Sequence, residues 1–218
     1  MSKIRVLVTG GPTRAYLDQV RFLTNVSSGI LAYELCRQLC RRGVEVVLVC
    51  GPTTQPFKKL KLAEWIPVDT TEEMQRAVMS LCRSFRPHFA VFSAAVLDFV
   101  PDKRRAGKVS SQKKKWQITL RPTPKIIDEV RDRFPNIRRI GFKLEARRGS
   151  DRESARLIQH SFKVKKLDAL CLNFLSEIKE GKHPAQLITK EGETYSAGSK
   201  REIARWITGY IKARAKGV

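Results

Sequence analysis

Two glycine-bearing segments near the start of the chain carry residue types suited to holding an anion. In Val6-Leu-Val-Thr-Gly-Gly-Pro-Thr-Arg14 a short apolar run ends at Gly10 and Gly11. It reads as a first parallel strand entering a loop whose backbone, lacking Cβ atoms, approaches a ligand closely. In Asp18-Gln-Val-Arg-Phe-Leu-Thr-Asn-Val-Ser-Ser-Gly29 the last residues open a helix expected over 30–42. Ser27 and Ser28 are favoured N-cap residues, and the free N–H groups of a helix N-terminus attract negative charge. The pattern predicts a phosphate-bearing ligand. Residues 103–115 add Lys103, Arg104, Arg105, Lys108 and Lys113-Lys-Lys115 with no apolar periodicity. Such a cationic loop is either a solvated flap or a lid that closes over phosphates, and the residues alone leave both open.

Strand-like and helical runs alternate around these segments. Apolar runs at 44–50, 66–68, 89–93, 139–142 and 168–173 read as strands, the third continuing into 94–98, and 116–120 alternates like a half-exposed strand. Helices are expected over 30–42, from 71 to about 85, and over 126–134, 151–165 and 200–213. Acidic Glu72 and Glu73 suit the first turn of the second helix, and Pro124 suits entry into the third. Glu191-Gly192, between 185–189 and 193–195, is a hairpin signal. The alternation predicts an α/β fold: a Rossmann-like doubly wound, mostly parallel sheet with a small C-terminal hairpin and helix, as a single domain over 1–218. Ligands then sit at the carboxyl ends of strands.

Composition excludes several classes. At 218 residues and 42% hydrophobic content the chain is long enough for a sizeable core. No run approaches the ~18 apolar residues of a membrane span and no secretory h-region opens the chain, so a soluble, cytoplasmic protein is expected. Five cysteines at irregular spacing argue against a disulfide framework, and Cys36 and Cys40, four apart on one helix face, read as reduced core residues. His88, His160 and His183 lie near no cysteine pair, and no metal site built by the protein is expected. The charge of +22 attracts anions, from nucleotides to nucleic acid. Yet the cations are scattered and the 8% aromatics do not interleave with them, which favours a generally cationic surface over a specific nucleic-acid module. A nicotinamide cofactor is disfavoured. No third glycine follows at fingerprint spacing, the second strand ends in Val49-Cys-Gly-Pro52 without an acid, and no Tyr-x-x-x-Lys pair occurs.

A series of segments, in order along the chain, resembles phosphopantothenoylcysteine synthetase, the phosphopantothenate–cysteine ligase of coenzyme A biosynthesis. Val8-Thr-Gly-Gly-Pro-Thr-Arg14 is similar to that family's opening loop, and Asp18 to Asn25 with Ser27-Ser-Gly29 to its signature asparagine segment. Ser93-Ala-Ala-Val-Leu-Asp-Phe-Val-Pro101 resembles its Ala-Ala-Val-x-Asp block, and Gly107-Lys-Val-Ser-Ser111 its lysine flap. Pro124-Lys-Ile126, Gly141-Phe-Lys-Leu-Glu145 and the strand ending in Asn173 also fit. The likeness departs at Ile30-Leu-Ala-Tyr33, where relatives carry a basic residue and a second glycine, so the helix start is more apolar here.

The resemblance implies a ligase that activates 4′-phosphopantothenate as an acyl-nucleotidylate with CTP or ATP and Mg2+, releases pyrophosphate, and passes the acyl group to the cysteine amine. It implies catalytic roles for Asn25, donating to the developing oxyanion and accepting from the amine, and for Lys108, stabilising charge on the departing pyrophosphate. Gly10, Gly11, Ala94, Ala95, Asp98, Lys108 and Phe142 would bind nucleotide, and Ser27, Ser28 and Gly29 the substrate phosphate. Asp98 would accept from ribose or base, or hold a metal-bound water. A homodimer is implied. The flavin-dependent decarboxylase fused to many relatives is expected as a separate protein. The alternative is a diverged nucleotide- or nucleic-acid-binding protein on the same scaffold.

Overall fold

The computed structural model describes residues 3–215. Its centre is an eight-stranded sheet in the order β12-β11-β10-β9-β6-β1-β4-β5. These strands are β1 (Arg5–Gly10), β4 (Glu45–Cys50), β5 (Glu64–Pro67), β6 (Phe89–Phe92), β9 (Arg138–Glu145), β10 (Ala169–Phe174), β11 (Ala185–Thr189) and β12 (Thr194–Ala197). All pairings from β5 to β10 are parallel; β11 and β12 add antiparallel at the edge as the expected hairpin. The helices are α1 (Ile30–Arg41), α2 (Thr71–Ser84), α3 (Ile126–Arg133), α4 (Asp151–Lys163) and α5 (Lys200–Arg214).

Both faces of the sheet are covered, which is why its strands read as continuous apolar runs. Val6 and Val8 pack with Leu35 and Leu39 of α1 and Ile203 and Ile207 of α5, whereas Leu7 packs with Met74 and Val78 of α2 and Val130 of α3. Leu170 and Leu172 meet Leu157 and Ile158 of α4. From β1 the sheet grows outward through β4 and β5, and then the chain returns to lay β6 on the other side of β1. The carboxyl ends of β1 and β6 therefore flank a topological switch point, where open α/β sheets take their ligands.

Two small antiparallel pairs lie outside the main sheet: β2 (Arg14–Tyr16) with β3 (Phe22–Thr24), and β7 (Phe99–Pro101) with β8 (Leu120–Pro122). The first gives no clear strand signal, because each strand is three residues long and only half-buried. The expected strand at 116–120 is displaced. Pairing begins at Leu120 opposite Pro101, and residues 116–119 stay outside any strand. The strand at 89–93 stops at Phe92, and the chain continues as an irregular segment.

Candidate functional site

Beyond β1 and β6 the two chains stay in register for a few residues, which builds the floor of the site. The Ala95 N–H donates to the Gly11 carbonyl at 2.9 Å and the Thr13 N–H to the Ala95 carbonyl at 3.4 Å. Thr13 is fully buried; its hydroxyl accepts from the Leu97 N–H at 3.0 Å and pairs with the Thr71 hydroxyl at 2.9 Å. A buried hydroxyl this fully engaged pins the first loop to the segment after β6 and to the start of α2. Ser93 Oγ donates to the Thr9 carbonyl at 2.6 Å and reinforces the same seam.

Asn25, directly after β3, is exposed, and its Nδ2 donates to the carbonyls of Val96 at 3.0 Å and Ala95 at 3.4 Å. The donor end of the carboxamide is thus engaged, leaving Oδ1 as the acceptor. Asp98 is exposed and pairs with Lys125, just before α3. The Thr123 N–H donates to the Asp98 carbonyl at 2.9 Å. Asn25, Ala95, Asp98 and Lys125, separated by up to 100 positions in sequence, thus share one end of the sheet.

The other expected residues surround this centre at different distances. Gly10 and Gly11 are buried: a Cβ on Gly10 would lie 2.4 Å from that of Ala32 in α1, and one on Gly11 2.8 Å from the Gly51 carbonyl oxygen. Their smallness serves close packing beneath the site. Ser27 and Ser28 are not the caps of α1. Gly29 is, at φ 70°, a left-handed conformation suited to glycine, and Thr53 Oγ1 holds the Ser28 carbonyl at 2.9 Å. The first turn of α1 therefore has no side-chain cap, in contrast to α2, α4 and α5, capped by Thr70, Ser150 and Ser199. Phe142 lies one residue beyond the Gly141–Phe92 pairing, where β9 outruns β6, half-buried on the α1 and α5 face. Asn173 is buried and ties β10 to the Pro184 carbonyl at 3.0 Å.

Lys108 is exposed on the loop between β7 and β8, and that loop is docked on the turn of the β2–β3 hairpin. The organiser is Asp18, fully buried. Its Oδ1 accepts from the N–H groups of Val20 and Arg21, both at 2.8 Å, and its Oδ2 accepts from Val109 at 3.1 Å. Burial opposes the charge of Asp18. The N–H donors of Val20, Val109 and Arg21, with the Arg21 guanidinium, outweigh burial and hold its pKa below the ordinary 3.8. Arg21 also donates to the Val109 carbonyl at 3.1 Å and lies over the Trp116 ring, and the Gln19 N–H donates to the Gly107 carbonyl at 3.4 Å. The cationic loop is therefore fastened on both sides of Lys108. Asn25 and Lys108 belong to opposite ends of the hairpin, separated by about 10 Å of strand. Sequence reasoning gave no role to Asp18, Thr13 or Lys125; a lone aspartate followed by Gln19-Val20-Arg21 was the available signal of a turn that accepts backbone N–H groups.

Among the described residues no three His, Cys, Asp or Glu side chains converge to hold a metal ion, and no helix is long and apolar enough to cross a membrane.

The chain matches the family described as the DNA/pantothenate metabolism flavoprotein C-terminal domain over residues 1–214. It is 37% identical over 141 residues to the coenzyme A biosynthesis bifunctional protein CoaBC of Thermococcus kodakarensis, covering 65% of this chain and 34% of that one. It is 28% identical over 214 residues to the bifunctional protein of Methanocaldococcus jannaschii, covering 97% of this chain and 51% of that one. It thus spans a third to a half of the length of these relatives. Among solved structures, the DNA/pantothenate metabolism flavoprotein from Streptococcus pneumoniae superposes with a TM-score of 0.83 at 25% identity, covering 97% of this chain and 99% of that one. The C-terminal domain of a bifunctional CoaBC superposes at 0.78 and 25% identity, covering 100% and 98%.

Proposed function

The chain belongs to the DNA/pantothenate metabolism flavoprotein C-terminal domain family, and on that premise we propose that it is a phosphopantothenate–cysteine ligase. The observation that carries this reading is the convergence at one switch point of Asn25, the Ala94-Ala95 segment, Asp98 and Lys125. In the reaction the carboxylate of 4′-phosphopantothenate attacks the α-phosphorus of CTP or ATP and pyrophosphate leaves. The cysteine amine then attacks the acyl carbon and the nucleoside monophosphate departs.

Each residue has a task suited to its place. The uncapped first turn of α1, with Ser27, Ser28 and Gly29, offers N–H groups to the substrate phosphate. Asn25 Oδ1 accepts a hydrogen bond from the incoming amine while Nδ2 keeps the side chain aimed by its hold on Ala95 and Val96. Lys108 balances negative charge on the departing pyrophosphate. Asp98 receives the ribose or base, and Phe142 walls the nucleotide. Gly10 and Gly11 let the floor of the nucleotide site pack closely. Asp98 is the carboxylate that would hold a magnesium-bound water, and magnesium fits a single carboxylate because it keeps several waters and takes its remaining ligands from phosphate. It would supply charge neutralisation on the triphosphate.

Exposed apolar side chains on the two small sheets, Phe22, Phe99 and Leu120, with Val20 in the turn between β2 and β3, support a homodimer through this region. Five free thiols suit the reducing cytoplasm. The test is pyrophosphate release by the purified protein with cysteine, magnesium and either CTP or ATP, with and without 4′-phosphopantothenate. Release that depends on the pantothenate substrate is expected, and the preferred nucleotide follows from the same assay. No release with either nucleotide overturns the reading.

A further inference from the structure

At the opposite end of the sheet, where β9 and β10 begin, lies a cavity of about 400 Å³ lined by Arg138, Arg139, Phe162, Lys166, Asp168 and Lys190 among others. It is far from the carboxyl ends that hold Asn25 and Asp98. Four of those side chains are cationic, and Asp168 is the acid among them. Both oxygens of Asp168 are already engaged: Oδ2 accepts from the Arg139 N–H at 2.8 Å and Oδ1 from Lys190 Nζ at 2.7 Å.

Arg139 is only 5% exposed. Its Nη1 donates to the carbonyls of Ile137 at 2.8 Å and Pro135 at 3.4 Å, and its Nη2 to that of Lys166 at 2.9 Å. Its Nε is buried without a partner. A guanidinium nitrogen withdrawn from water with nothing to donate to is costly, and buried donors in native proteins are nearly always satisfied. Lys166 is itself held at φ 50°, left-handed for a residue with a Cβ, and this conformation carries its carbonyl onto Arg139. Strain and an unsatisfied donor are thus concentrated beside one cationic cavity.

We propose that this cavity is a second anion site, which takes a small phosphate-bearing molecule between Lys166, Lys190 and the guanidinium of Arg139. With its Nη groups held on backbone carbonyls, Arg139 offers a fixed positive charge and the unpartnered Nε–H, and each Lys a mobile point charge, a combination suited to a tetrahedral dianion. The cavity is roomy enough for a phosphate monoester. A monocarboxylate would leave most of the cationic excess unbalanced.

The experiment is calorimetric titration of the full chain with inorganic phosphate at fixed ionic strength. Three proteins are compared: wild type, a Lys166→Gly/Lys190→Gln double variant, and Lys108→Gln, which alters the catalytic end only. Glycine suits the backbone at 166, so the fold is expected to survive. The expected result is phosphate binding weakened about tenfold or more in the double variant and retained in Lys108→Gln. Equal binding by wild type and the double variant, or loss in Lys108→Gln alone, overturns the proposal. If the double variant does not fold, the Arg139 Nε–H resonance of the wild type is followed by NMR. Phosphate is expected to shift it, and a signal unmoved at saturating phosphate refutes the site.

Discussion

Asn25 and Lys108 act at different points of the proposed reaction and are held in different ways. The Asn25 carboxamide is aimed by two carbonyls, so Asn25→Asp would set a carboxylate oxygen against the Val96 and Ala95 carbonyls and swing the side chain away. Product formation is expected to fall by on the order of 10²-fold or more. Because the residue is exposed, stability should change by no more than about 1 kcal/mol. Lys108→Gln is expected to lower the rate similarly with no loss of stability. Full turnover by both variants, measured as pyrophosphate released, would remove them from the site. Asp18 is the subtler case. In Asp18→Asn the amide oxygen still accepts from Val20 and Arg21, but an NH2 now faces the Val109 N–H, donor against donor. The loop carrying Lys108 should come loose while the hairpin turn persists. Hydrogen exchange over residues 102–115 is expected to speed up, and unchanged protection there would refute the clamp. The pH dependence has a definite sign. The folded pKa of Asp18 lies below the ordinary 3.8, so its contribution is full above that value and is lost as pH falls through the folded one. Loop protection should therefore fade under strong acid and be constant through neutral pH.

At the scale of elements, the site depends on how closely loops pass one another. The loop after β4 runs against the loop after β1: a Cβ on Gly51 would sit 1.6 Å from the Pro12 carbonyl oxygen, a backbone atom with no room to move. A Cβ on Gly10 would meet the Ala32 side chain at 2.4 Å, which a small shift of α1 relieves in part. Gly10→Ala is expected to cost about 1–3 kcal/mol by overpacking, and Gly51→Ala more, enough to displace the Pro12–Thr13 segment. Urea unfolding measures both, and equal midpoints for the two variants would contradict this ordering. The helix starts follow a related logic. Thr70, Ser150 and Ser199 close α2, α4 and α5 with side-chain hydrogen bonds, whereas α1 and α3 begin at Gly29 and Lys125 without one, both beside the site.

For the whole molecule the strongest influence outside the core is charge. A net +22 on 218 residues repels itself, and that repulsion is screened by salt. Raising monovalent salt from about 20 to about 200 mM is expected to raise Tm by about 2–5 °C. A Tm that falls or stays flat over that range would mean that local ion pairs, such as Arg37–Glu34 and Arg131–Asp128, already absorb the field.

Apolar patterning determined most of the sheet and all five helices, because buried strands and amphipathic helices each impose a period that survives without knowledge of neighbours. It did not single out Asn25, Asp98 or the 107–111 flap, which stand out only through the resemblance of their segments to a known family. The β2–β3 hairpin was not legible, since three-residue strands take their stability from Arg14 and Tyr16 on Asp69 rather than from periodicity. Nor was the cap of α1, where a left-handed Gly29 displaced the two serines. Only the tertiary structure decided which end of the Asn25 amide is free, and that Asp18 rather than any lysine governs the flap. Those outcomes rest on hydrogen bonds across 70 to 91 positions of sequence, and local sequence carries no trace of a partner that arrives through folding.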